Sequence, residues 1–476
     1  VELPMIIQGG MGVGVSSSRL ARAVSRAGQL GVVSGTASAV TQARQLAIGD
    51  PGGHVRRALD AFPLPDMAAR VRARYLDVAG SGPGVPRFPA IPQPSLHPPK
   101  ALTELTVVGN FVEVWLAKEG HDGPVGINYL EKIQLPTLAS LYGAMLAGVD
   151  VVLMGAGIPA RIPALLDALA EHQPVTMPVT VEGSARGEVH EISLDPAAIA
   201  GVNELPDLAR PMFLAIVASS TMATFLARNA AGSPDGFVVE LPTAGGHNAP
   251  PRGRLTLDEA GEPVYGPRDT VQLDDIASLG LPFWLAGGFA RPERLEEARA
   301  AGAQGVQVGT AFAFCEESGL EPDLKAAGLQ RALAGTTTVR TDPRASPTGY
   351  PFKILEAEAT LSEADTYEAR PRLCDLGYLR APYVRPDGGV GYRCAAEPVD
   401  DYVRKGGEVA DTEGRRCLCN ALVTTIGLGQ SRAEGYVETP LVTAGDDVAD
   451  VGRFVTAGTS SYSASDVVEH LLISTT

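Results

Sequence analysis

Short apolar runs alternate with amphipathic stretches along the first 320 residues of the chain. The runs are PMIIQGG, LGVVSG, GPVGINYL, VDVVLMGAG, PMFLAIVAS, GFVVELP, PFWLAGG and GVQVGT, eight candidate strands in all. Most are near-continuous Val, Ile and Leu, without strict alternation, as strands covered on both faces of a parallel sheet require. Between them, SSSRLARAVSRAG repeats Leu20, Val24 and Ala27 at helical spacing, and LPTLASLYGAMLAG, RIPALLDALAEH and RPERLEEARAAGA read as further helices. Eight strand-helix units predict an α/β fold, a (β/α)8 TIM barrel with insertions. A doubly wound open sheet is the alternative.

Two stretches interrupt the pattern. Residues 77–100 are rich in Pro and Gly and predict an irregular lid or inter-subunit arm. Residues 174–196 alternate around GSARG and predict an outer hairpin. The pattern changes again after SPTGYPFKIL. The expected division is therefore a barrel over 1–355, with these two insertions, and a C-terminal extension over 356–476. Within the extension, RRCLCNALVTTIGLG and SASDVVEHLL predict short helices.

Composition narrows the function classes. With 45% hydrophobic and 20% charged residues the chain can bury a large core. A net charge of −16 argues against nucleic acid or an anionic membrane as the main partner. No apolar run approaches the roughly 20 residues of a membrane span. Five cysteines in 476 residues are too few for a disulfide framework. The expectation is a cytoplasmic protein acting on a small molecule, with assembly either as a homo-oligomer or as a subunit of a larger complex.

In a parallel barrel the chemistry collects at the C-terminal ends of the strands. Those ends carry QGGMGVG, SGTAS, INYLEK, GAG, TAGGHNAP, AGGFA and GTAF, and glycine dominates them. Glycine there lets backbone amides approach a ligand closely. Gly287 and Gly288 after the seventh strand, with Gly309 and Thr310 after the eighth, occupy the loops where barrels commonly bind phosphate. Met11 offers a polarizable side chain against a flat ring, and Asn128 both donates and accepts in the barrel mouth. His247 follows Gly245 and Gly246 at the end of the sixth strand, with room for a ring beside it. An imidazole with a near-neutral pKa can take a proton from carbon or return one.

In order, the motifs PMIIQGGMG, VGINYL, PTAGGHNAP, LAGGFARPE, GAQGVQVGTAF and SPTGYPFK resemble the nitronate monooxygenase family, formerly 2-nitropropane dioxygenases. That family is related to FMN-dependent enoyl-ACP reductases and to the enoyl-reductase subunits of polyunsaturated fatty acid synthases. The resemblance covers roughly residues 3–353. It implies an FMN-dependent oxidoreductase with the phosphate around Gly287, Gly288, Gly309 and Thr310. It places Gln8, Gly10, Met11, Asn128, Gly246 and Gln307 along the flavin, and makes His247 the active-site histidine. Many relatives carry an acidic or polar residue just before GGH, where this chain has Thr243 and Ala244.

The implied reaction is oxidation of nitroalkanes or alkyl nitronates with O2. One alternative on the same cofactor is an NAD(P)H-dependent enoyl-thioester or quinone reductase, with the nicotinamide a transient co-substrate. An alternative of another class is a flavin-free barrel lyase or isomerase binding a phosphate ligand. Finally, Cys374, Cys394, Cys417 and Cys419 crowd the extension, and four thiols could hold Zn or an Fe–S cluster. Ordinary buried cysteines are the competing reading.

Overall fold

The computed structural model describes residues 3–80, 86–201, 204–432, 435–455 and 458–473. All eight predicted strands form: β1 (Ile6–Gln8), β2 (Gly31–Ser34), β3 (Val125–Leu130), β4 (Val151–Gly155), β5 (Met212–Val217), β6 (Gly236–Glu240), β7 (Phe283–Ala286) and β8 (Gly305–Val308). Each pairs in parallel with its neighbour, in the spatial order β1-β8-β7-β6-β5-β4-β3-β2. Leu30, just ahead of β2, closes the ring. It accepts from the Gln8 amide at 2.9 Å and donates to the Ile6 carbonyl at 3.1 Å. The α/β barrel expected from the apolar runs is the fold.

The strands hold because both faces are covered. β2 and β4 are buried along their whole lengths. Ile7, Val32, Leu153, Leu214, Val238 and Trp284 form an inner core, and the helices pack outside. The helix Ser18–Arg26 starts where the Ser17 side chain accepts from the Leu20 amide, and it turns Leu20, Ala21 and Val24 inward. The helix Lys100–Lys118, which the sequence reading did not single out, packs on the outside of the barrel through Leu105, Val108 and Phe111.

The predicted hairpin forms between Val175–Val179 and His190–Leu194. Beyond it, the Glu182 amide donates to Pro382 O and the Val384 amide to Glu182 O, both at 2.9 Å. The insertion at 77–100 does not stand off as a lid where it is described. The Gln430 amide brackets the backbone of Phe88, accepting at 2.7 Å and donating at 3.0 Å, and Tyr392 Oη accepts from the Leu96 amide at 2.8 Å. Residues 86–99 thus strap the barrel side to the C-terminal extension.

The extension returns to the barrel. Val442, Val448, Val451, Phe454, Tyr462 and Leu471 all lie in the main core. Its last helix, Ala464–Leu471, is capped reciprocally by Ser463 and Asp466. The expectation of a metal among its cysteines is corrected. All five cysteines are free, and among the described residues no group of three or more His, Cys, Asp or Glu is placed to hold an ion. The physical reason is placement, since no three of Cys374, Cys394, Cys417 and Cys419 converge on a common ion position among the described residues. Desolvation pushes the Cys419 thiol up to about 12 and the Cys417 thiol well above its usual value.

Candidate active site

A cavity opens at the C-terminal ends of the strands, where the chemistry was expected. Its floor and walls include Gly10, Met11, Asn128, Gly246, His247, Gly287, Gly288, Gln307, Gly309 and Thr310. Ten of the eleven residues singled out for the cofactor and catalysis therefore share one cavity. Gln8 is the exception. It is fully buried beneath the first loop, where its amide donates to Gly9 O at 2.6 Å and Ser16 Oγ at 2.8 Å and accepts from the Val32 amide at 3.0 Å. It braces the loop and does not line the cavity.

The glycines are there for close approach. Gly10 packs on Asn128 so tightly that an added Cβ would lie 2.1 Å from the Asn128 Cβ. Asn128 Nδ2 donates to Gly10 O at 3.2 Å, which ties the first and third strand ends together. Gly287 and Gly288 have φ of 99° and 74°, and a Cβ at Gly287 would meet Thr243 Oγ1 at 2.8 Å. Two consecutive residues in that region are accessible cheaply only to glycine. Gln307 adds an unmet acceptor: its Oε1 is buried with no hydrogen-bond partner among the described residues.

Thr310 differs in detail from expectation. Its hydroxyl already accepts from the Gly445 amide at 2.9 Å and hydrogen-bonds the carboxyl of Asp447. Any ligand in this corner would meet the backbone first. Thr443, Ala444 and Asp447 line the cavity too. The extension thus supplies one wall of the site, which its own sequence gave no reason to expect.

His247 is held from two sides. Its Nε2 lies 2.8 Å from Ser346 Oγ, and that hydroxyl lies 2.8 Å from Thr348 Oγ1. The imidazole meets the Phe352 ring edge-on at 4.8 Å between centroids. Nδ1 is the ring nitrogen not engaged by Ser346. Burial, and then the nearby Lys132 cation, hold the His247 pKa well below the usual histidine value, so the ring is a neutral base.

A second chamber adjoins the first and shares Ala156, Ile216, Glu240 and His247 with it. It continues outward past Met222, Arg252 and Tyr265. Sequence reading missed Glu240. The signal was available, because Glu240 is the acid that ends the apolar run GFVVE at the catalytic end of β6. Lys132 was missed as well. Its Nζ is cut off from solvent without a hydrogen-bond partner among the described residues, 4.3 Å above the Tyr350 ring.

A parallel barrel with a glycine-lined cavity and a half-buried, neutral histidine at its mouth defines an enzyme site, and comparison with known proteins makes it that of an oxidoreductase. Residues 181–363 match the family model described as nitronate monooxygenase, which bears out the resemblance carried by the motifs. One curated relative is the (3aS,4S,5R,7aS)-5-hydroxy-7a-methyl-1-oxo-octahydro-1H-indene-4-carboxyl-CoA dehydrogenase of Mycobacterium tuberculosis. It is 33% identical over 146 residues, 30% of this chain and 36% of that protein. The match therefore spans about a third of the relative's length. Among solved structures, FabK from Thermotoga maritima is 17% identical at a TM-score of 0.44, covering 99% of this chain and 92% of its own. The nitroalkane oxidase from Streptomyces ansochromogenes is 17% identical at 0.46, with 98% and 94% covered. No helix among the described residues is long and apolar enough to cross a membrane.

Proposed function

We propose that the chain is an FMN-dependent oxidoreductase of nitronate monooxygenase type, acting on nitroalkanes or alkyl nitronates with O2. The observation that carries this reading is His247. It is a half-buried, neutral imidazole beside a glycine-lined cavity with room for a flat ring. The residues present suit the cofactor. Gly287, Gly288 and Gly309 would cradle the phosphate through backbone amides, with Thr310 bracing that corner. Met11 and Gly10 would face the ring system, Asn128 and Gly246 would border it, and the unpartnered Gln307 Oε1 would accept from its polar edge. Bound there, FMN would supply the redox chemistry.

The protein's own part is proton handling and orientation. His247 takes the acidic α-proton of a nitroalkane, for which a neutral ring is required. Ser346 and Phe352 fix the plane of the ring, so its free nitrogen keeps one direction. Phe289, Val15 and Phe352 keep the rest of the cavity apolar.

A second reading, reduction of an enoyl thioester with NAD(P)H, draws on the outer chamber. That chamber leaves room for an extended substrate beside the cavity, and the curated relative is named for a CoA ester. Oxygen consumption with 2-nitropropane, and NAD(P)H oxidation with crotonyl-CoA in the absence of O2, on wild type and His247→Ala, separate the two. The first reading predicts uptake dependent on 2-nitropropane that falls by ~10²-fold or more in the variant, because only the neutral nitroalkane has an α-proton for His247 to take. Turnover that needs NAD(P)H and no nitro compound would move the assignment to the reductase.

A further inference from the structure

The α-proton taken by His247 has to leave. Imidazolium is a poor resting place for it, because desolvation and then the charge of Lys132 both disfavour a positive ring. One carboxyl faces both the inner cavity and the outer chamber, as His247 itself does: Glu240. Among the described residues its carboxyl makes no ion pair within 4.0 Å. Lys132 stands behind the wall, capped by the Tyr350 ring and lining neither chamber.

We propose that Glu240 is a second proton-exchanging residue of this site, receiving the proton collected by His247 and releasing it into the outer chamber, and that Lys132 is a positioning residue that holds it as the carboxylate. The inference rests on the reading of His247 as the base. The step moves a proton only. The substrate's C–H bond breaks as an N–H bond forms on His247. That N–H then breaks as an O–H bond forms on Glu240, carried by the solvent of the chamber both residues line, and the carboxylic acid ionises outward. No electron changes hands.

The electrostatic surroundings suit the role. Burial raises Glu240 and Lys132 draws it back, leaving it at about 7, where a carboxyl both accepts and releases a proton readily. The other titratable groups about it are Arg252, Tyr265 and Asp269 on the loop after β6, Tyr350 before the strand Phe352–Leu355, and Glu131 beside Lys132. Asp447 closes the far wall of the inner cavity. The basic group that acts on Glu240 is Lys132. Burial holds its own pKa well below the usual lysine value and Glu240 draws it back up, so the two groups support each other's charged form. Removing Lys132 therefore raises the Glu240 pKa.

The test is turnover of the holoenzyme with 2-nitropropane as a function of pH and of added small buffer, with pH-difference infrared spectra of the same samples. Glu240→Gln is expected to lose ~10²-fold in kcat, in the range of a removed general acid or base, with KM little changed. Glu240→Ala is expected to recover with rising imidazole concentration, which a merely structural loss would not do. In the infrared titration, the wild type shows a carboxyl band disappearing near neutrality. Glu113, on the helix Lys100–Lys118, is also raised by burial to about 7 and gives a second such band. The component lost in Glu240→Gln is that of Glu240, and it moves to higher pH in Lys132→Met and stays in Lys132→Arg. An unchanged kcat in Glu240→Gln, or a loss that buffer does not rescue, overturns the relay. A Glu240 band indifferent to Lys132→Met overturns the role of the lysine. The infrared titration needs no turnover, so it reads Glu240 even if the nitronate assignment fails.

Discussion

At the scale of single residues, the site depends on a few positions where chemistry and geometry leave no substitute. Gly287 is one. Alanine there would adopt a φ of 99° with its Cβ 2.8 Å from Thr243 Oγ1. Gly287→Ala should cost about 1–3 kcal/mol in stability and weaken FMN binding at least tenfold, read by thermal unfolding and by flavin fluorescence titration. His247 gives a prediction in pH. Its pKa is lowered, so the neutral base persists below the ordinary histidine value of about 6.5. The acid limb of kcat/KM should therefore fall below pH 6.5, and Lys132→Met, by removing the opposing cation, should move it up. His247 and the glycine loops were legible in the sequence because position at a strand end and lack of side chains are local properties. Lys132 was not, because its isolation depends on Tyr350, brought over it from more than 200 residues away.

Among the elements, the eight strands were readable because burial on both faces leaves an unbroken apolar run. What the runs could not show is how later segments lean on the barrel mouth. The strand Phe352–Leu355 pairs with Val339–Asp342 and places Phe352 against the His247 ring. Next along it, the buried Lys353 donates to Thr341 Oγ1 at 2.9 Å and to Asp446 Oδ1 at 2.6 Å. That ion pair ties the hairpin to Thr443–Asp447, the wall contributed by the extension. Lys353→Met should cost about 2–3 kcal/mol, below the upper range for a buried pair because Asp446 is half exposed. It should also speed FMN release, measured by rapid dilution. The helix Leu418–Thr424 was predicted from RRCLCNALVTTIGLG. Its cysteines read as ligands because spacing in sequence does not say whether the thiols converge on one point, and among the described residues they do not.

Over the whole molecule, we propose the division into a barrel over 1–355 and an extension over 356–476 as one of organisation rather than of independent folding. The extension buries Val442, Val448, Val451, Phe454 and Leu471 in the barrel's own core and completes the cavity. A chain ended after Leu355 would expose those contact surfaces, and it should be recovered largely insoluble, as a sedimentation assay of the expressed protein would show. This coupling could not be read from the sequence, because the extension's apolar residues are scattered among turns and match the core only after folding. The most direct test of the account is the visible absorption of the purified protein, with FMN titrated into any colourless fraction. The account predicts a two-banded yellow spectrum, or one restored by FMN at one equivalent per chain and weakened by Gly287→Ala. A colourless protein that FMN does not restore would contradict it.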